Sequence, residues 1–196
     1  MIAAIDIEGN VGFDARLDSP PALDLEQPVG LTFGGGVDVF FSRAVAVGLR
    51  IEHLDLGQES SPAGAIGTMR LSRDLNGAWL GLRAYPFEND DIGAFLGIGA
   101  AAIWQSLDAS GSVWLRPEPG ISQSFQCEGS DSISVGLRAI AGVDVAISPA
   151  FRFWGTVGLD TYRLSDAVLD GCAPGAGNAS VFGLTTGLSY RFAPGI

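Results

Sequence analysis

The chain has 196 residues, the length of one domain, and its 47% apolar content and mean hydropathy of +0.30 suffice for a core or for a lipid-facing surface. No window reaches the ~18 consecutive apolar residues of a membrane-spanning helix, so no helical span is expected. The formal charge is −11 and all eleven basic residues are arginine, which leaves no basic patch of the kind that binds nucleic acid. Apolar residues recur at every second position, the habit of a strand. Many of the 28 glycines sit inside these runs, where they would weaken a helix. An all-β chain forming a single domain over residues 1–196 is the expectation.

Eight segments carry the two-residue period. In the first, about 3–13, Ile5, Ile7, Val11 and Phe13 oppose Asp6, Glu8 and Asn10. The second, 31–41, sets Phe33, Val37, Val39 and Phe41 against Thr32, Gly34, Gly36 and Asp38. The third, 44–56, sets Val45, Val47, Leu49 and Ile51 against Ala46, Gly48, Arg50 and Glu52. The fourth, 68–85, alternates cleanly in its later half, where Ala78, Leu80, Leu82 and Ala84 oppose Gly77, Trp79, Gly81 and Arg83. Its earlier half, Met69 to Leu75, is out of phase; a bulge near Asn76-Gly77 or a strand end outside a bilayer would account for that. The fifth, 92–104, is almost wholly apolar or Gly, and parity points Leu96, Ile98 and Trp104 outward. In the sixth, 132–147, alternate residues from Ile133 to Ile147 share one face and Arg138 and Asp144 lie on the other, with Ile140 and Ala146 as exceptions. The seventh, 150–164, places Phe151, Phe153, Val157 and Leu159 opposite Arg152, Trp154, Thr156, Asp160 and Tyr162. The eighth, 179–192, alternates Phe182, Leu184, Leu188, Tyr190 and Phe192 with Gly183, Thr185, Ser189 and Arg191.

The connections alternate in length. Ser42-Arg43, Pro86–Asp91 and Ser148-Pro149 are short, whereas about 14–30, 57–67, 105–131 and 165–178 are long. Short turns at one end, long loops at the other and an even strand number are the layout of a membrane barrel. Asp18, Asp24, Glu26, Glu88, Asp90 and Asp91 read as solvated loop surface. Cys127 and Cys172 fall in the third and fourth long loops, fit no metal-ligand spacing, and would form a disulfide in an oxidising compartment.

A soluble sheet and a membrane barrel both alternate, and the placement of charge separates them. The polar face carries Asp6, Glu8, Asp38, Arg50, Glu52, Arg83, Arg138, Asp144, Arg152, Asp160 and Arg191, six acids against five arginines. The opposite face is Val, Leu, Ile, Phe and Ala. In a soluble sandwich or ligand-binding barrel the polar face meets water. In a membrane barrel the apolar face meets lipid, and the near-balanced charges pair inside a narrow lumen that Trp79 and Trp154 help to fill. Parity also gathers Phe41, Phe151, Phe153, Tyr190 and Phe192 on the apolar face at the short-turn end, and Phe13, Trp104 and Phe182 near the long-loop end. Two such girdles are expected of a membrane barrel.

The chain resembles the eight-stranded outer-membrane β-barrel family, of the OmpA-like membrane-domain type. Thr185-Thr186-Gly187-Leu188-Ser189-Tyr190-Arg191-Phe192 is similar to that family's terminal sorting signal, matched at Thr185, Gly187, Tyr190 and Phe192. Four residues, Ala193–Ile196, follow the aromatic that often ends such chains. Arg50–Gly57 resembles the upper third strand of these barrels, and Gly97-Ile98-Gly99 their Gly-rich strand. The resemblance implies an antiparallel up-and-down transmembrane β-barrel in a Gram-negative outer membrane, with the lipid bilayer and the barrel-insertion machinery as partners. Met1 leads almost directly into a strand, so an export signal has been removed or the chain is not exported. The expected role is non-enzymatic, structural or surface-interacting, with a narrow channel, or a passage for small apolar molecules, as the alternative. His53, the one histidine, would be the base of a lipid-modifying barrel enzyme, but Asp55 stands where a serine is wanted and Ser60 and Ser61 have no evident place. No cofactor, metal or phosphate-binding pattern is present.

Overall fold

The structure is a computed structural model that describes residues 4–17, 24–27, 29–62, 67–89, 91–114, 122–130, 133–165, 168–169, 171–174 and 177–192. Asp18, Asp90 and Ala193–Ile196 lie outside them. The described residues form twelve strands: β1 (Ala4–Arg16), β2 (Asp24–Gln27), β3 (Val29–Ser42), β4 (Val45–Pro62), β5 (Gly67–Glu88), β6 (Ile92–Trp114), β7 (Ser122–Ser130), β8 (Ser134–Ala146), β9 (Phe151–Arg163), β10 (Val168–Leu169), β11 (Ala173–Pro174) and β12 (Asn178–Phe192). There is no helix among the described residues.

Eight strands close a ring in the order β1-β3-β4-β5-β6-β8-β9-β12, each antiparallel to the next. The seam is β1 against β12, running from Ile5 opposite Phe192 to Arg16 opposite Val181. Closure leaves no edge within the ring, so the sheet satisfies its own backbone groups. β2 and β7 extend the sheet at the long-loop end, against β4 and β6. Three tight turns cap the other end. Ser42 Oγ accepts from the backbone of Ala44, Asn89 Oδ1 from Asp91 and Ile92, and Ser148 Oγ from Phe151, the local bonds by which Ser and Asn shape turns.

Burial is inverted relative to a water-soluble barrel. The period of two sends Leu49, Ile51, Leu80, Ile98, Leu137 and Leu184 outward, with Ile51 and Ile98 both 65% exposed. The same period sends Asp38, Arg50, Arg83 and Asp160 inward, each at most 6% exposed. Phe41, Phe151, Phe153, Tyr190 and Phe192 face outward at the short-turn end, Phe13, Trp104 and Phe182 at the other. Phe151, Tyr190 and Phe192 make consecutive edge-to-face contacts at centroid distances of 5.0 and 4.5 Å.

Of the two explanations offered for the out-of-phase half of β5, the bulge is absent and the strand end beyond the apolar band accords with the burial, and the strands run further than expected. No bulge interrupts β5 at Asn76-Gly77: its pairing with β6 runs unbroken from Gly67 to Ala84. The irregularity is in β4, between Asp55 and Gln58, where Gly57 adopts φ +83° and its N–H donates to Asp55 Oδ1 at 2.6 Å. The hydrophobic phase of β5 reverses because Met69, Leu71 and Leu75 point inward to close the lumen, beyond the level at which the outer face is apolar. Much of the segments 57–67 and 105–131 is strand rather than loop, since β4 continues to Pro62, β6 to Trp114, and β7 pairs with β6.

Candidate functional site

The side chains that could carry chemistry converge in the lumen. Alternation places all eleven charged residues of the polar face inside the ring, and nine are buried outright. Near the short-turn end Arg191 grips Asp6 through two bonds of 2.9 Å across the β1–β12 seam. Arg152 Nη2 donates to Asp144 at 2.8 Å. The next layer joins four strands: Arg50 bonds Glu8 and donates to both oxygens of Asp38, at 2.8 and 2.7 Å. Arg83 Nη1 donates to Asp38 at 2.7 Å and reaches Glu8 at 3.3 Å. At mid-lumen Arg138 holds Asp160 with bonds of 2.8 and 2.7 Å and contacts Glu52 at 2.7 Å. Charges withdrawn from water are costly unless paired, and each of these carboxylates has a guanidinium within contact distance.

Aromatic rings complete the filling. Arg138 lies 4.0 Å from the Trp79 ring centroid, Arg191 4.4 Å from Phe40, and Arg83 4.8 Å from Phe95. Ile140, an exception to the alternation, turns inward between Gly97 and Gly158, which leave it room. Asp14, Arg16 and Arg73 are buried too, and the sequence reading missed them. Asp14, which accepts from Thr32, and Arg16 continue the alternation of β1 beyond the point where a loop was expected, while Arg73 belongs to the out-of-phase half of β5.

The segment Thr185–Phe192 lies on the closing strand. Tyr190 and Phe192 face outward, and Thr185 faces the lumen. Gly187 is packed so closely that a Cβ there would meet Gly9 O at 2.4 Å and the Trp154 ring at 2.5 Å. A side chain at position 187 would displace Trp154 from the lumen, which is a structural reason for glycine at that place in the motif.

His53 points outward at the long-loop border of the apolar surface, 4.8 Å from the Phe33 ring. Its Nδ1 is 3.0 Å from Asn76 Oδ1 and its Nε2 3.7 Å from Asp74. Neither ring nitrogen is directed at a hydroxyl nucleophile. Partial burial raises the Asp74 carboxyl above its ordinary range; His53 works against that rise, while Asp55 and Asp108 add to it. Among the described residues no group of three or more His, Cys, Asp or Glu is arranged to hold a metal ion.

Beyond the apolar surface, Cys127 on β7 and Cys172 between β10 and β11 are joined in a disulfide, their Cα atoms 6.0 Å apart. With Phe125 they pack on the apolar cluster Met69, Leu71, Leu107 and Ala109. A Cys127→Ser/Cys172→Ser variant should be nicked by protease within residues 105–131 or 165–178 much faster than the parent, with the ring itself still resistant; equal digestion would show that the bond holds nothing in place.

Closed up-and-down topology, an apolar exterior and a charge-paired interior define the fold of the eight-stranded outer-membrane β-barrels. No protein-family model matches the sequence, and a comparison with curated proteins finds no sequence relative. Solved structures do match across nearly the whole chain. Neisserial surface protein A is 10% identical over 96% of this chain and 99% of its own, with a TM-score of 0.58. The outer membrane protein OprG of Pseudomonas aeruginosa is 15% identical over 98% and 97%, with a TM-score of 0.54. A major outer membrane protein of Thermus thermophilus is 12% identical over 96% and 99%, with a TM-score of 0.51. At these identities the likeness is one of fold.

Proposed function

We propose that this chain is an outer-membrane β-barrel with a plugged lumen, serving a structural or surface-interaction role and presenting acidic loops at one end. The observation that carries this reading is the inverted burial: a band of Val, Leu, Ile and Phe faces outward, and paired charges face inward. In water that exterior would drive aggregation, whereas in a bilayer it is matched to its surroundings. The edge-to-face aromatics at the short-turn end support an interfacial girdle. The β12 segment supports recognition by barrel-insertion machinery through Thr185, Gly187, Tyr190 and Phe192.

The packed interior favours a plug over a channel, because side chains from every strand of the ring meet within it. A lipid-modifying reading finds no support at His53, whose ring nitrogens face Asn76 and Asp74. The test is extraction and gel mobility. The folded protein should stay with membranes until detergent is added, and its electrophoretic mobility should change on boiling. Release into buffer as a folded monomer without detergent would replace this reading with a soluble barrel.

A further inference from the structure

The lumen changes character along its length. Around its middle lies a cavity of about 40 Å³ whose lining includes Asn10, Asp14, Glu52, Arg138, Trp154 and Asp160. Apart from Glu52 Oε2, which is ion-paired with Arg138, three buried atoms of its lining residues have no hydrogen-bond partner among the described residues: Asn10 Oδ1, Trp154 Nε1 and Arg83 Nε. One is an acceptor and two are donors. Water serves both kinds, and this volume exceeds the ~10–15 Å³ that one water requires. Toward the long-loop end a second cavity shrinks to about 10 Å³ between Glu52 and Arg138 on one side and Leu54, Leu75 and Ile103 on the other.

Past that point most of the buried side chains are apolar. Leu54, Leu75, Trp79, Ile103, Tyr162 and Val181 belong to one cluster drawn from five strands, each at most 6% exposed. Tyr162 marks the border: its hydroxyl donates to Asp160 at 2.9 Å and its ring meets Trp79 edge-on at 6.1 Å. A further apolar layer, built on Leu71 and Leu107, lies beneath the disulfide. Three polar side chains, Arg16, Arg73 and Gln105, are buried among them, each at most 7% exposed. An ion among the pairs can exchange water for carboxylate or guanidinium contacts. Among the apolar side chains it must shed water with little in return.

We propose that the barrier to passage through this barrel is the apolar septum at the long-loop end rather than the ion-pair network, and that the cavity beneath it is an internal water site. The proposal rests on the reading as a membrane barrel, which detergent extraction tests separately. The experiment is conductance in planar lipid bilayers, on protein whose heat-modifiable mobility shows it folded. The parent should carry no steady current, and a Leu75→Ser/Ile103→Ser variant should show discrete openings. Should that variant fail to fold, Leu75→Ala/Ile103→Ala, which removes volume without adding a polar group, is expected to show the same gain. A septum variant as closed as the parent, a steadily conducting parent, or current through a Glu52→Gln/Arg138→Gln variant with the septum intact would each overturn it.

Discussion

Replacing Arg50 with methionine is expected to destabilise the folded barrel by about 3–5 kcal/mol, the usual cost of breaking a buried ion pair from one side. Arg50 bridges two carboxylates, Glu8 and Asp38, whose side chains are 2% and 1% exposed. Without it, both must share Arg83, which reaches Asp38 at 2.7 Å but Glu8 only at 3.3 Å. Adding Glu8→Gln should recover most of the loss, because Asp38 and Arg83 then remain as a matched pair. The measurement is urea unfolding in lipid vesicles, followed by the gel mobility of the folded form. A loss under about 1 kcal/mol for the single variant would mean that water reaches this layer and that the lumen is not a dry, paired interior.

An arginine at Ile98 is expected to cost about 2–4 kcal/mol, the penalty for a charge on the lipid face near the bilayer midplane. Ile98 lies on the outer face of β6 between Leu82 and Ala139, well inside the outward apolar band. The same change at Ile147, which is exposed in the turn region at the short-turn end, should cost about 0–1 kcal/mol, since arginine near the interface reaches water. The gradient between the two is the informative quantity. In a water-soluble barrel both substitutions would replace exposed apolar surface with charge and would be close to neutral. Unfolding midpoints in vesicles for the two variants decide between these outcomes.

Most of the ring was legible in the sequence because a strand that separates lipid from a polar lumen has a strong period of two. β8 and β12 show it best, and their observed limits lie within two residues of the expected ones. The reading was ambiguous where the environment changed. Above the apolar band the outer face of β5 meets water and its inner face closes the lumen, so the same period reverses phase at Met69, Leu71 and Leu75. A pattern method sees an interruption where the backbone continues. The hairpin of β6 and β7 was hidden by composition, since the Ser, Gly and Pro scattered through 105–131 suggest a loop. Within the lumen, alternation identified which charges face inward but not which charges meet. Arg50 with Glu8 depends on how far round the ring two strands lie, and that follows from the register of pairing rather than from local order.

The ring is sealed by its two extremes: Asp6 on β1 meets Arg191 on β12 across 185 residues of chain. Contacts so distant in sequence form late in folding. The strand that completes the wall is also the strand bearing the segment proposed for recognition. Under that proposal, a chain whose synthesis stops early would lack its address and its closing strand together. Incomplete barrels, with an open sheet edge able to pair with any passing strand, would be withheld from the membrane by the same omission that left them open.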